Sequence, residues 1–147
     1  MLTQYGLSKV GSWRLSQDYK SARHLAHLPG ISFELNDGSR WKRHVVYVFA
    51  FSEVPRYVGE TSAGLGLRLE GYRYGNPLES DTDNRVKIAL TKHLQEGGEV
   101  SIWCIQPETD LVLGERRLQI PVSKPVEEYL IREMKPDLNV KILKYES

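Results

Sequence analysis

Cysteine is nearly absent from this 147-residue sequence. Cys104 stands alone, so no internal disulfide forms, and the multi-cysteine ligand sets of zinc fingers and HNH-type zinc sites are excluded. Long hydrophobic runs are missing too. No stretch approaches the roughly 20 apolar residues that span a bilayer, and residues 1–10 lack the basic-then-apolar order of a secretory signal. A cytoplasmic protein with no membrane partner is expected. Internal repeats and low-complexity segments are absent as well. Excess charge is scarce, the total being +1, so the whole-molecule field does not by itself draw in a polyanion. The distribution is uneven, however. Residues 1–45 carry Lys9, Arg14, Lys20, Arg23, Arg40, Lys42 and Arg43 against only Asp18, Glu34 and Asp37, while the rest is slightly acidic. A polyanion is expected to be gripped by this basic third.

What is present is the makeup of a folded domain: 40% hydrophobic, 27% charged and 10% aromatic residues, in a length suited to one domain. Tyr19, Ala22, Leu25, Ala26 and Leu28 recur at helical spacing over 17–28, with Pro29-Gly30 as the stop. Ile31, Phe33 and Leu35 then alternate, Asn36 to Ser39 supply turn chemistry, and Trp41 to Phe51 alternates again, which predicts a β-hairpin. A short strand over 56–59 follows. Helices are predicted over 64–74, with Thr61 or Ser62 as cap and three glycines against it, over 84–96, and over 124–134 with Ser123 as cap. Val100, Ile102 and Cys104 mark a strand between the last two. Residues 107–122 read as a loop or an irregular hairpin around Gly114, and 138–145 as a final edge strand. The expected fold is α+β: a small antiparallel sheet flanked by helices, with an N-terminal helix and hairpin extension.

Within this pattern one side chain is anomalous. At about 100° of turn per residue, Glu127 falls on the same arc of the last helix as Val126, Leu130, Ile131 and Met134. Glu128, by contrast, joins Arg132 on a solvated stripe. A carboxylate facing a core is costly unless a cation, a metal or hydrogen-bond donors meet it. Glu127 therefore either opens the helix near its positive end and pairs with an arginine, or it serves a site. Tyr47 and Tyr57 fall on adjacent strands, and Arg68 and Tyr72 on one helical face. Individually these are ordinary packing residues and a snorkelling arginine.

In order, however, Val45-Val46-Tyr47, Tyr57-Val58-Gly59, Arg68, Glu127, Ile131, Pro136 and Asn139 resemble the GIY-YIG nuclease superfamily, over residues 45–139. Tyr47-Val48-Phe49, the position of Arg68 and Ser123-Lys124 ahead of the glutamate look most like its small type II restriction endonucleases. Three positions depart from the family pattern. Val45 stands where the first glycine is usual, Glu60 where some relatives carry histidine or lysine, and Tyr72 where others carry histidine. The resemblance implies a GIY-YIG-like catalytic core over 45–147, a Mg²⁺ ion (with Mn²⁺ as a substitute) held by Glu127, and Arg68 on the phosphate oxygens. It further implies that Tyr47 orients or deprotonates the attacking water, which requires its pKa of about 10 to be lowered. Tyr57 and Tyr72 would join the same site and Asn139 would brace it.

The basic segment outside that core, residues 1–44, is expected to recognise double-stranded DNA through Arg14, the 17–28 helix and a basic strand of Arg40, Lys42, Arg43 and His44. Lys87 is a further candidate for phosphate contact, against the plainer reading of a solvated lysine, and His93 reads as a core-edge histidine. Cutting both strands of a symmetric site implies a homodimer. Competing signatures fail on residue order: Glu133-Met134-Lys135 precedes Pro136-Asp137, Asp81, Asp83 and Arg85 break an EF-hand loop, Gly64-Leu65-Gly66 lacks a third glycine, and His24 and His27 lack a third ligand. Within the superfamily, a DNA repair or mobile-element nuclease is the alternative to restriction. Two rivals of other classes stand beside the nuclease: a catalytically silent nucleic-acid binder of the same fold, and an interaction domain pairing through the 138–145 strand.

Overall fold

Every residue of β3 (Val45–Phe51) is buried, because helices cover the sheet on both faces of this strand. Side chains of a strand leave alternately to either side. Val45, Tyr47, Phe49 and Phe51 thus enter one core with Leu65, Leu69 and Tyr72 of α1 (Leu65–Tyr74) and Val86 and Leu90 of α2 (Asp81–Gln95). Val46, Val48 and Ala50 enter a second with Leu130 and Ile131 of α3 (Ser123–Met134). The computed structural model describes residues 1–17, 27–75 and 81–139. In it, β1 (Ser8–Leu15), β2 (Ile31–Leu35), β3, β4 (Val54–Thr61) and β5 (Val100–Ile105) form an antiparallel sheet of order β2-β1-β5-β3-β4. A separate hairpin, β6 (Glu108–Leu113) and β7 (Arg116–Pro121), turns at Gly114, whose φ is 62°. The fold is α+β, as expected. No helix among the described residues is long and apolar enough to cross a membrane.

Several local expectations are corrected. Residues 31–35 do not form a hairpin with 41–51. Strand β2 pairs with β1 instead, Trp13 opposite Phe33, and β1 lies against β5 in the same sheet as the catalytic candidates. The sequence pattern hid β1 because its register shifts between Lys9 and Gly11, so the buried Val10 and Trp13 fall out of strict alternation. Residues Arg40 to His44 are not a strand: Ser39–Trp41 is a 3₁₀ turn, and His44 has φ 54°. Neither α1 nor α3 has the side-chain cap expected of it. The Thr61 hydroxyl accepts from the Ala63 N–H, and Ser123 donates to Glu60 at 3.3 Å. Helix α2 starts at Asp81, three residues early. Residues 107–122 contain a regular hairpin, masked in the sequence because every β6 residue is exposed and no burial alternation exists to read. Most of the 17–28 helix and of the 138–145 strand lies outside the described residues, and Leu138 and Asn139 themselves follow a turn after α3.

Among the described residues β4 is an edge strand, and the chain after α3 closes part of it. Asn139 Oδ1 accepts from the Val58 N–H at 2.9 Å while its Nδ2 donates to the Val58 carbonyl at 2.7 Å, so one side chain stands in for a neighbouring strand. Leu138 N–H donates to the Arg56 carbonyl, and Arg56 pairs with Asp137 at 2.7 Å.

Across the β3–β4 ladder Tyr47 faces Gly59 directly. A Cβ at Gly59 would fall 2.4–2.6 Å from Tyr47 Cζ, Oη and Cε2, so the phenol occupies the place of the missing side chain. Gly59→Ala is expected to destabilise the protein by about 1–3 kcal/mol through overpacking, read as a lower denaturant midpoint at unchanged slope; an unchanged midpoint would refute this packing account.

Candidate active site

Three tyrosines from three elements meet through their hydroxyls. Tyr47 comes from β3, Tyr57 from β4 and Tyr72 from α1. Tyr72 Oη donates to Tyr57 Oη at 3.0 Å and lies 2.6 Å from Tyr47 Oη. Arg68, one turn before Tyr72, donates from Nη2 to the Tyr72 oxygen at 2.9 Å, its guanidinium carbon 4.2 Å from that ring's centre. Each phenol has a single proton. With the Tyr72 proton directed to Tyr57, Tyr47 is the donor to Tyr72, and the Tyr57 proton is left for a partner beyond the cluster. Tyr57 is also the member nearest solvent, 6% exposed where Tyr47 and Tyr72 are fully buried.

Arg68 does not snorkel freely. Asp83, in the first turn of α2, accepts from Nη1 at 3.0 Å and from Nη2 at 2.7 Å. Gly71 makes room for this pair, because a Cβ there would come within 2.7 Å of Asp83 Oδ2 and 2.9 Å of Arg68 Nη1. The glycine that weakens α1 as a helix thus opens space for its arginine. Of the five guanidinium hydrogens, Nε–H and the second Nη1–H are not used by these bonds. Sequence reading missed Asp83. Its signal was an acid in the first turn of the next helix, but periodicity within one element says nothing about partners on another.

The electrostatics sort the roles. Burial, and then the neighbouring Tyr57, push the Tyr47 phenol well above its ordinary value of 10.0, against the opposing pull of Arg68 and of the Tyr72 hydrogen bond. This is the reverse of the lowering a phenolate base needs, so Tyr47 keeps its proton. Burial raises Tyr57 and Tyr72 likewise. Burial works against the Arg68 charge, but the Asp83 hydrogen bonds and the nearby tyrosines outweigh it and hold the guanidinium charged.

Glu127 is half-buried beside Leu130 and Ile131, as its helical position implied. Among the described residues it forms no ion pair with an arginine. Burial and then the Glu60 carboxylate raise its pKa to about 7, with Lys124 acting against them. Its charge in turn raises Tyr47 and Tyr57, so it belongs to the same electrostatic neighbourhood. Glu128 pairs with Arg132 at 3.9 Å on the exposed face, as expected. Among the described residues no three His, Cys, Asp or Glu side chains converge as a metal cluster. The carboxylates whose charge the tyrosines feel are Glu127 and Asp83, the latter already engaged by Arg68, while Glu60 neighbours Glu127.

The remaining candidates are distributed as follows. Asn139 braces the backbone next to Tyr57 and touches none of the hydroxyls. Arg40, Lys42 and Arg43 lie against the start of α1, where Leu65 N–H donates to the Lys42 carbonyl at 2.9 Å and Arg43 Nε to the Ser62 carbonyl at 3.0 Å, and His44 follows them just before β3. Arg14 pairs with Glu34 and, alternating with buried Trp13, leaves the opposite face of the sheet. The phosphate contact expected of Lys87 is ruled out by burial: the residue is 0% exposed and donates to the Arg73 carbonyl. That burial, with Arg73 nearby, lowers its pKa to about 8. His93 is a core-edge residue, its Nε2 2.9 Å from Ser52 Oγ and its ring beside Phe51.

The α+β fold can be compared with those of known proteins. Family models give no match to the sequence, and neither do curated proteins. Two solved structures share the architecture. A mutant form of bacteriophage T4 EndoII superposes with a TM-score of 0.67 at 19% identity, over 94% of this chain and 95% of that one. The restriction endonuclease HPY188I in complex with product DNA superposes with a TM-score of 0.50 at 12% identity, over 91% and 79%. At these identities the likeness establishes the fold.

The raised Glu127 pKa has a sign that can be checked. Its folded value, about 7, exceeds its ordinary 4.5, so the folded state holds the extra proton and the associated stability is full below pH 4.5 and lost as pH rises to about 7. After solvent screening this is about 1–2 kcal/mol. In thermal melts without divalent cations, Glu127→Gln is expected to lose that decline relative to the parent protein between pH 4.5 and 7. Parallel curves would contradict the assignment.

Proposed function

We propose that this protein is a DNA endonuclease of the GIY-YIG type, hydrolysing phosphodiester bonds with Mg²⁺, for which Mn²⁺ can substitute. Its narrower role is that of a type II restriction enzyme cutting both strands of a short site as a homodimer. One observation carries the reading: Tyr47, Tyr57, Arg68 and Tyr72, spread over 26 positions and three elements, share one hydrogen-bonded cluster whose phenols feel the charge of Glu127. Packing alone asks for none of these hydroxyls. The fold shared with a phage endonuclease and with a restriction endonuclease bound to product DNA supports it.

The residues present fit a hard divalent cation. Glu127 is costly to ionise where it stands and Glu60 adds to that cost, so a cation held by the Glu127 carboxylate relieves a local strain that the chain does not otherwise satisfy. When bound, such an ion neutralises charge on the phosphate and acidifies water. Arg68, charged and fixed by Asp83, turns one spare N–H, from Nε or from Nη1, to a non-bridging phosphate oxygen, with the orientation of the guanidinium set before the substrate arrives. Tyr57 offers its outward proton to a phosphate or leaving oxygen. Tyr47 and Tyr72 stay neutral and hold the orientation of the other two. The site residues come from within 45–147, on a sheet that β1 and β2 complete, and residues 1–44 add DNA contacts through Arg14, Arg40, Lys42, Arg43 and His44.

Incubation of the purified protein with mixed-sequence plasmid and Mg²⁺ is expected to give discrete fragments. Glu127→Gln should abolish cleavage by at least about a hundredfold, with folding and DNA binding near normal, whereas Glu128→Gln should cut like the parent. A gel shift without cutting by the parent protein would replace the nuclease with a silent DNA binder.

A further inference from the structure

Trp41 is the most exposed aromatic side chain among the described residues, at 77%, and Leu67 beside it is 72% exposed. Neither exposure comes from a loose segment. Trp41 ends the 3₁₀ turn Ser39–Trp41, whose first residue is buried, and the turn is tied down on both sides. Ser39 N–H donates to the Asn36 carbonyl at 3.0 Å, Lys42 carbonyl receives the Leu65 N–H at 2.9 Å, and Gln106 Nε2 donates to the Arg43 carbonyl at 2.9 Å. The backbone holds the indole out into solvent. Trp41 and Leu67 line a shallow apolar groove of about 350 Å³, closed by Gly64 and rimmed by Arg40, Arg43 and Glu70. The one acid on that rim is already engaged by two arginines, Arg40 at 3.6 Å and Arg73. What the groove shows a partner is therefore an apolar floor with cationic edges.

Leu67 immediately precedes Arg68, so the groove and the catalytic arginine occupy neighbouring faces of the same turn of α1. The geometry points to Trp41, with Leu67, as a DNA-contacting wedge: the indole stacks on a nucleobase of bound DNA while Arg40 and Arg43 reach the flanking phosphates, with Arg68 at the phosphate to be cut. This rests on the function proposed above. Aromatic faces stack on bases of any identity, and apolar wedges open base steps. Charge favours DNA over a second copy of this chain, because a two-fold contact through this patch would set Arg40 and Arg43 against their own copies.

The test uses the full-length protein with Ca²⁺ in place of Mg²⁺ and duplex fragments of mixed-sequence plasmid. Acrylamide quenching of tryptophan fluorescence, DNA affinity across a salt series, and light scattering are measured for the parent, Trp41→Ala and Trp41→Phe. DNA is expected to shield the parent's fluorescence and not that of Trp41→Ala, since Trp13 is buried and Trp103 only partly exposed. Trp41→Ala should bind about tenfold more weakly with an unchanged salt slope, and Trp41→Phe should recover most of the loss. Unchanged affinity in Trp41→Ala, no shielding of the parent's fluorescence by DNA, and normal cutting by the variant in Mg²⁺ would overturn the wedge and leave the nuclease reading standing. A change of oligomeric state in Trp41→Ala would overturn it in favour of self-association. A parent protein that neither binds nor cuts DNA would remove the proposed function itself.

Discussion

The hydroxyl of Tyr72 is the joint on which the site depends. It is fully buried, accepts from Arg68 and Tyr47, and donates to Tyr57, so one oxygen ties α1 to both β3 and β4. A buried polar group left without a partner costs about 1–3 kcal/mol. Because every hydrogen bond among the three phenols and the guanidinium runs through the Tyr72 oxygen, removing that oxygen strands Tyr47, Tyr57 and one Arg68 N–H together. In the low-dielectric core such a network is stiff when complete and unstable when partial. That stiffness fixes the orientation of the Arg68 guanidinium and of the Tyr57 hydroxyl before any substrate is present.

The surrounding architecture serves this joint in identifiable ways. Gly59 lets Tyr47 lie across β4, and Gly71 lets Asp83 reach Arg68. Asn139 holds β4 from its open side, so the strand carrying Tyr57 keeps its position although it is an edge. On the other side of the sheet, α3 brings Glu127 next to Glu60, and the two carboxylates in a partly dry spot make the ionised form costly without a cation. The polar cluster and the carboxylate pair are thus built from opposite faces of one sheet, and the Glu127 charge is felt by Tyr47 and Tyr57.

Much of this was legible in the sequence. The helices at 65–74 and 123–134, the strand at 100–105 and the anomalous placement of Glu127 all follow from period and polarity, because each of these elements buries one defined face, while 45–51 is legible as a strand although both its faces are buried. Strand β1 was hidden by its bulge, and the β6–β7 hairpin by having no buried face at all. Asp83 and Lys87 could not be assigned, since both lie on α2 and what separates them is a contact with α1: one meets Arg68, the other the Arg73 carbonyl. The phenol pKa values were misjudged in direction, because complete burial outweighs the nearby arginine and only the fold reveals how complete it is.

The central claim is that the Tyr72 oxygen organises a phosphate-cutting site, and the most direct measurement is the single-turnover rate of DNA cleavage in Mg²⁺ by Tyr72→Phe, with its melting curve taken alongside. The account predicts a rate lowered by on the order of a hundredfold or more while the variant still folds cooperatively. Cleavage at the parent rate by a folded Tyr72→Phe protein would contradict it.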